Sequence, residues 1–211
     1  DVKRFWESGV VDAASNVQFG EGGAGTVSDG KLNTLIKDKD GRNKEVLRVF
    51  VEHGAPERII YDAKPHIGTD VLTKVVKNMR EKILEMGGGV YFETEMKKPV
   101  TKNGKIIGVE IEDVTGVRRT LACDTVVLAI GHSARNTFET LYEQGIPMEA
   151  KAFAVGFRVE HPQKMINMSQ YGMEEPGVLE PAPYKVTAQT SVGRGVYSFC
   201  MCPGGYVVNA S

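Results

Sequence analysis

The residues able to do chemistry gather in a few short stretches. The richest is FGEGGAGTVSDGKLNT, residues 19–34, which packs Gly20, Gly22, Gly23, Ala24, Gly25 and Gly30 beside Glu21, Ser28, Asp29 and Lys31. Where Cβ atoms are missing, successive backbone N–H groups can turn inward as a cradle for an anion, and a planar ligand can lie against the chain. Lys31 adds a charge to such a cradle and Ser28 a hydroxyl. The stretch is not a P-loop, because no Gly-Lys-Ser/Thr follows a four-residue gap. Nor is it a dinucleotide fingerprint, which needs a strand before it and a ribose-binding acid about 20 residues on. Composition leaves a flexible surface loop open as the alternative.

A second stretch is VVLAIGHSA, residues 126–134. An apolar strand that runs into Gly131, followed by His132, Ser133 and a helix start, puts backbone N–H groups at the carboxyl end of a sheet. That is where α/β proteins bind nucleotides. An ordinary strand–turn–helix junction explains the same residues. In FCMCPGG, Cys200 and Cys202 stand one residue apart, so on a strand both side chains share a face. They can serve as a redox pair or half a metal site, or pack as small reduced hydrophobes. Cys123 is remote from them and no second pair exists, so four thiolates cannot meet on one zinc ion. His66, His132 and His161 do not stand at HxxH or HxxxH spacing. In KPHIGTD, His66 beside Gly68 fits a ligand-side loop, or a lead-in to the helix that follows.

The elements that must hold these groups are readable from periodicity. VKRFWESG predicts a short helix closed by Gly9. RNKEVLRVFVEHGAP predicts a helix with Val46, Val49 and Phe50 on one face, stopped by Gly54 and Pro56. TDVLTKVVKNMREKILEMGGG predicts a long helix capped by Thr69 or Asp70. Its apolar stripe is Val71, Leu72, Val75, Val76, Met79, Ile83 and Leu84, and Gly87–Gly89 end it. The period then becomes two. VYFETEM, KIIGVEIED and RRTLACDTVVLAIG read as three strands, with Asn103-Gly104 as the first hairpin turn and Thr115-Gly116 as the second. Val109 and Ile111 should share one face of this meander and Glu110 and Glu112 the other. DTVVLAIG, nearly all apolar, is expected buried in a sheet covered on both faces. A helix is expected from Ser133 or Ala134. Beyond Pro147, KAFAVGFRVEHPQ reads as strand, MINMSQYGMEEPGVLEPAPYKV as irregular, and RGVYSFCMCPGGYVV as strand, turn, strand. A domain boundary is expected near 148–152.

Composition is that of a globular protein: 41% hydrophobic and 25% charged over 211 residues, with a formal net charge of −1. That balance argues against a dedicated nucleic-acid binder. No apolar run approaches the roughly 20 residues of a membrane span. Three cysteines, an odd number, point to a reducing cytoplasm rather than a disulfide framework. The first residue is Asp1 and the last residues are an apolar run, so a fragment of a longer protein is expected.

Five ordered motifs together resemble a family of largely uncharacterised FAD-dependent dehydrogenases, similar to the glutathione-reductase superfamily of flavoproteins. They are NVQFGEGGAGTVSDGKLNT, PHIGTD, LAIGHSARNTFETL, FRVEHPQ and YSFCMCPGG. The resemblance spans essentially the whole chain, with Asn136 standing where the family carries Asp. It implies that the loop Gly20–Lys31 runs beside the pyrophosphate, ribityl and isoalloxazine of FAD. Gly131, His132 and Ser133 would form a second contact. The segment from about Phe153 would be an inserted substrate-side region returning to the flavin near Cys200–Gly205. The meander between residues 90 and 122 matches the small β-layer of that superfamily. The βαβ unit with GxGxxG, which binds the ADP half of FAD in the family, does not occur in these residues.

The expected fold is therefore α/β, α+β within these 211 residues. Residues 1–150 form a partial FAD-binding domain, and 151–211 begin an inserted substrate-side subdomain. The expected activity is an FAD-dependent oxidoreductase acting on a small molecule, with no nucleic-acid or membrane partner. His66, Cys200 and Cys202 are the candidate acid, base or thiol groups. A non-catalytic flavin- or nucleotide-binding scaffold, or a thiol-redox protein using Cys200 and Cys202, are the other readings. Without the GxGxxG unit these residues alone are expected to hold no stoichiometric FAD. The unfilled sheet edge at DTVVLAIG is expected either to pair two copies as a homodimer or to rearrange the loop 20–31.

Overall fold

A computed structural model describes the chain apart from residues 1, 14, 28, 29, 33, 35, 36, 200, 204 and 208–211. The fold is α+β. Two compact units arise, one within Asp1–Glu149 and one within Ala150–Asn209. Among the described residues no helix is long and apolar enough to cross a membrane.

In the first unit, α1 (Val2–Ser8) ends as expected at Gly9, whose φ of 69° is left-handed and whose N–H bonds the Phe5 carbonyl at 2.8 Å. The core lies between α2 (Arg42–Glu52), a 3-10 turn at Glu57–Ile60 and α3 (Thr69–Glu85). Ala55, Ile59, Ile67, Leu72 and Val75 are buried together there. The inward face of α2 is Leu47, Phe50 and Val51, not Val46, Val49 and Phe50; Val46 is exposed. The true set is an i, i+3, i+4 stripe, and neighbouring valines made a shifted one look equivalent. Gly41 precedes α2 without a capping side chain of its own. The Asp38 carboxylate reaches over instead and accepts the N–H groups of Asn43 and Lys44 at 3.1 and 3.2 Å. The expected cap of α3 is corrected too: Thr69 and Asp70 are its first helical residues, and Gly68, at φ 84°, takes the cap position. Leu72 and Val75 carry the burial of α3, Val71, Val76 and Met79 pack beside them, and Ile83 and Leu84 are exposed past the end of the core.

The meander forms as three antiparallel strands: β1 (Thr94–Lys102), β2 (Lys105–Asp113) and β3 (Arg118–Ala122). Asn103 and Gly104 have φ of 52° and 73°, the two left-handed positions of a type I′ turn between paired Lys102 and Lys105. At the second turn Gly116 has φ 81°, and Asp113 Oδ1 accepts bonds from the N–H and hydroxyl of Thr115 and the N–H of Val117. Alternation puts Val109 and buried Ile111 on one face of β2. Glu110 and Glu112 on the other face meet Lys97, Lys98 and Arg118 from the flanking strands.

Two strand expectations are overturned here. VYFETEM becomes strand only at Thr94, because Tyr91 and Phe92 lie outside the ladder. DTVVLAIG is not a buried strand. After Cys123, whose N–H bonds the Ile107 carbonyl at 3.3 Å, the ladder stops, and Val127 is 86% exposed. A run apolar on both sides needs a neighbour on each edge and a cover on each face, and none of the described strands pairs with it. The helix that follows is α4 (Arg135–Glu143), one residue later than expected, with Leu141 buried and Gln144 Nε2 bonding the Pro99 carbonyl of β1 at 3.3 Å.

The second unit departs further from expectation. KAFAVGFRVEHPQ carries no strand, and Phe157 is 99% exposed. A helix, α5 (Gln163–Tyr171), starts after Pro162 at the end of that stretch, takes up the first residues of the stretch read as irregular, and is closed by Gly172 at φ 71°. Buried Asn167 organises the chain around it: Oδ1 accepts the Ala182 N–H at 3.0 Å and Nδ2 donates to the Glu174 carbonyl at 2.7 Å. RGVYSF does supply a strand, β5 (Gly195–Tyr197), but it pairs backward with β4 (Thr187–Gln189), and no strand forms at Tyr206 or Val207.

Candidate functional site

The glycine-rich stretch does two different jobs. Its far part closes on α3. Gly23–Val27 is a 3-10 turn, and Gly30–Leu32 pairs with Pro65–Ile67: the Leu32 N–H bonds the Pro65 carbonyl at 2.9 Å and the Ile67 N–H bonds the Gly30 carbonyl at 3.1 Å. Lys31 and His66, from two separate motifs, thereby sit opposite each other in an antiparallel bridge. A Cβ at Gly30 would stand 3.2 Å from Leu72 Cδ2, and one at Gly22 would clash with the Thr26 side chain of the same loop and stand 3.3 Å from Val76 Cγ2. At Gly30 the missing side chain lets the loop approach the protein's own helix, and at Gly22 it also lets the loop fold tightly on itself.

Its near part opens on a cavity of about 520 Å³. Phe19 and Gly20 form one wall, Glu93–Met96 at the start of β1 a second, and Ile130 with Ser133–Thr137 a third. The glycine stretch and the LAIGHSA turn, far apart in sequence, thus share one hollow. Asn16 shapes the first wall. Its side chain is buried, with Nδ2 donating to the Asp12 carbonyl at 2.6 Å and Oδ1 accepting the Gln18 N–H at 2.9 Å, which sets the turn that delivers Gly20. At Gly20 a Cβ would meet nothing within 4 Å, although its φ of 93° favours glycine. Glu93, on the second wall, has φ 51°, unusual for a residue with a side chain. The third wall runs from Ile130 into the first turn of α4, where the Arg135 N–H bonds the Ser133 carbonyl at 2.8 Å.

The sequence-predicted residues fall into three groups. Gly20 and Ser133 line the cavity; Gly131 and His132 stand between Ile130 and Ser133 of the third wall but are not among the residues that line it. Gly22, Gly23, Ala24, Gly25 and Lys31 belong to the part that folds toward α3, and His66 joins them. Cys202 is exposed, while Ser28, Asp29 and Cys200 lie outside the described residues. Sequence reasoning missed Asn16, Glu93, Glu95 and Met96 as wall residues. NVQFG carried a signal for the first; the others follow a helix and a glycine stop and look like ordinary strand residues.

Volume and lining suit part of a dinucleotide cofactor. Small-molecule pockets run from about 300 to 1,000 Å³ and are largely apolar with a few polar groups. Phe19, Met96 and Ile130 offer apolar surface for a ring, and Gln18, Ser133 and Thr137 offer groups for hydroxyls. The charged wall residues are two carboxylates, Glu93 and Glu95, against Arg135, and Glu95 is paired with Lys97 at 3.0 Å. Such a lining suits neutral ring and sugar portions better than a bare pyrophosphate.

The arrangement is a hollow with Gly20 on one wall and the start of a helix on another. Residues 152–211 match the family described as FAD-dependent protein, C-terminal domain-like. An uncharacterized protein of Clostridium beijerinckii is 49% identical over 212 residues, a match that covers the whole of this chain and 38% of that protein. The chain thus spans well under half the length of the curated relative it matches.

Proposed function

We propose that this chain is part of an FAD-dependent oxidoreductase and that the cavity between Gly20, Glu93–Met96 and Ser133–Thr137 receives a portion of the FAD. The observation that carries the reading is the meeting of the glycine stretch and the LAIGHSA turn at one hollow of suitable size. The match of residues 152–211 to an FAD-dependent family supports it independently. FAD, when bound, supplies hydride transfer to or from a small molecule. The protein's own part is to hold and orient. Gly20 allows close approach of backbone, the Ser133 and Thr137 hydroxyls offer donors, and Phe19, Met96 and Ile130 exclude water from one face.

The test is a titration with FAD, followed by quenching of flavin fluorescence, on this chain and on the whole Clostridium beijerinckii relative. The relative should purify with flavin. This chain should take up added FAD saturably without carrying a stoichiometric amount from purification. Its missing pyrophosphate contacts are charge-assisted hydrogen bonds of roughly 1.5–3 kcal/mol each, and two of them amount to about a hundredfold or more in affinity. A relative free of flavin, and a chain that ignores added FAD, would sink the reading. Gly25→Val is the sharper of two loop variants. A Cβ there meets only Leu72 Cδ2 at 3.9 Å, whereas Gly23, at φ 53°, would be strained by any side chain. Because Gly25 lies outside the cavity, a loss of flavin affinity in Gly25→Val with unchanged thermal stability would extend the cofactor's path beyond the cavity along the loop.

A further inference from the structure

We propose that Arg80 is a positioning residue that ties two walls of the cavity to α3. It lies on the last turns of α3, outside the buried core, and its side chain is only 25% exposed. Its Nε stands 3.4 Å from Glu21 Oε1, and Glu21 directly follows Gly20 of the first wall. Its guanidinium carbon stands 5.2 Å from the centre of the Phe92 ring, and Phe92 directly precedes Glu93 of the second wall. One planar cation therefore touches the residue next to each wall.

The surroundings make this more than a surface ion pair. One turn earlier on α3, Val76 Cγ2 lies 3.3 Å from where a Cβ at Gly22 would stand, so this side of the helix already borders the glycine stretch. On the other wall, Glu93 holds a left-handed φ of 51°, a conformation that survives only when its neighbours are held. Phe92 is held twice, by its ring on Arg80 and by its carbonyl, which accepts the Thr94 hydroxyl at 2.8 Å. A guanidinium can pair with a carboxylate at its edge and lie over a ring with its face, which an ammonium does less well. As a determinant of flavin affinity, Arg80 rests on the function proposed above; as a clamp on the walls, it does not.

The experiment is hydrogen exchange on the full chain with R80Q, R80K and E21Q, together with FAD titration and thermal unfolding. In R80Q the amides of 18–22 and 92–96 should both exchange faster while those of α2 are unchanged. R80K should keep 18–22 protected through Glu21 and loosen 92–96. E21Q should do the reverse, and these two variants carry the test should R80Q fail to fold. The Kd for FAD should rise about tenfold in R80Q, the scale of a part-exposed ion pair and a ring contact together. Wild-type exchange at both walls in R80Q, or equal acceleration in α2, would overturn the proposal. A wild-type chain that binds no FAD would defeat the flavin reading alone, and the exchange pattern would still decide the clamp.

Discussion

Thr94–Ala122 and Asp124–Gly131 adjoin each other and both abound in residues that favour strands, yet only the first is a sheet. The meander carries its partners with it. Each strand lies within a few residues of the next, and Asn103-Gly104 and Asp113–Gly116 turn the chain through conformations those residues accept. Its polar face is closed locally as well, by Glu110 and Glu112 against Lys97, Lys98 and Arg118. Asp124–Gly131 has stronger apolar character and less structure. No local hairpin can satisfy both its edges, so its propensity goes unused: Leu128 is 46% exposed and Val127 86%. Strand propensity measures fitness for a pleated, covered surface and does not create one.

Hydrogen exchange offers the widest separation between the two stretches. Amides of β2, bonded on both sides, should be protected by orders of magnitude over those of residues 126–130. Equal protection would mean that the apolar run finds a partner in solution, and size-exclusion measurement would show whether it is a second copy. Substitution comes next. Ile111→Ala, at a position only 6% exposed, should cost about 2–4 kcal/mol in chemical denaturation. Val127→Asp should lie within about 0.5 kcal/mol of wild type. A large loss in the second variant would erase the distinction. Gly104→Val, which puts a β-branched side chain at φ 73°, should cost about 1–2 kcal/mol by straining the first turn.

The smallest effect is that of pH at the second turn. Hydrogen bonds from Thr115, first its hydroxyl, and from the Val117 N–H hold the Asp113 carboxyl below its ordinary pKa. Arg118 does the same to Glu112, chiefly by a side-chain hydrogen bond. A carboxyl whose pKa is lowered on folding contributes stability above its ordinary range and loses it as pH falls through the lowered value. The meander should therefore weaken on acidification below the usual carboxylate range. Asp113→Asn keeps an acceptor without the charge, so it should flatten that dependence while preserving the turn, as read by circular dichroism across the acid range.

What the sequence determined by itself was everything governed by neighbours a few residues away. The helices α1, α2, α3 and α4, the type I′ turn at Asn103-Gly104 and the faces of β2 follow from periodicity and from φ values that Gly and Asn accept. Two stretches of the cavity, at Gly20 and at Ser133, were legible as motifs because unusual glycine content, and an apolar run stopped by Gly131 before a helix, show in one dimension. Tertiary structure decided the rest. Whether DTVVLAIG is buried depends on partners distant in the chain, and so does the exposure of Phe157. The helix α5 hid among Met, Gly and Pro residues because its order hangs on Asn167 bonding chain that comes later. The walls at Glu93–Met96, and Arg80 between Glu21 and Phe92, carry no local signal: what matters about them is which distant residues they stand beside, and packing of α3 against the loop settles that.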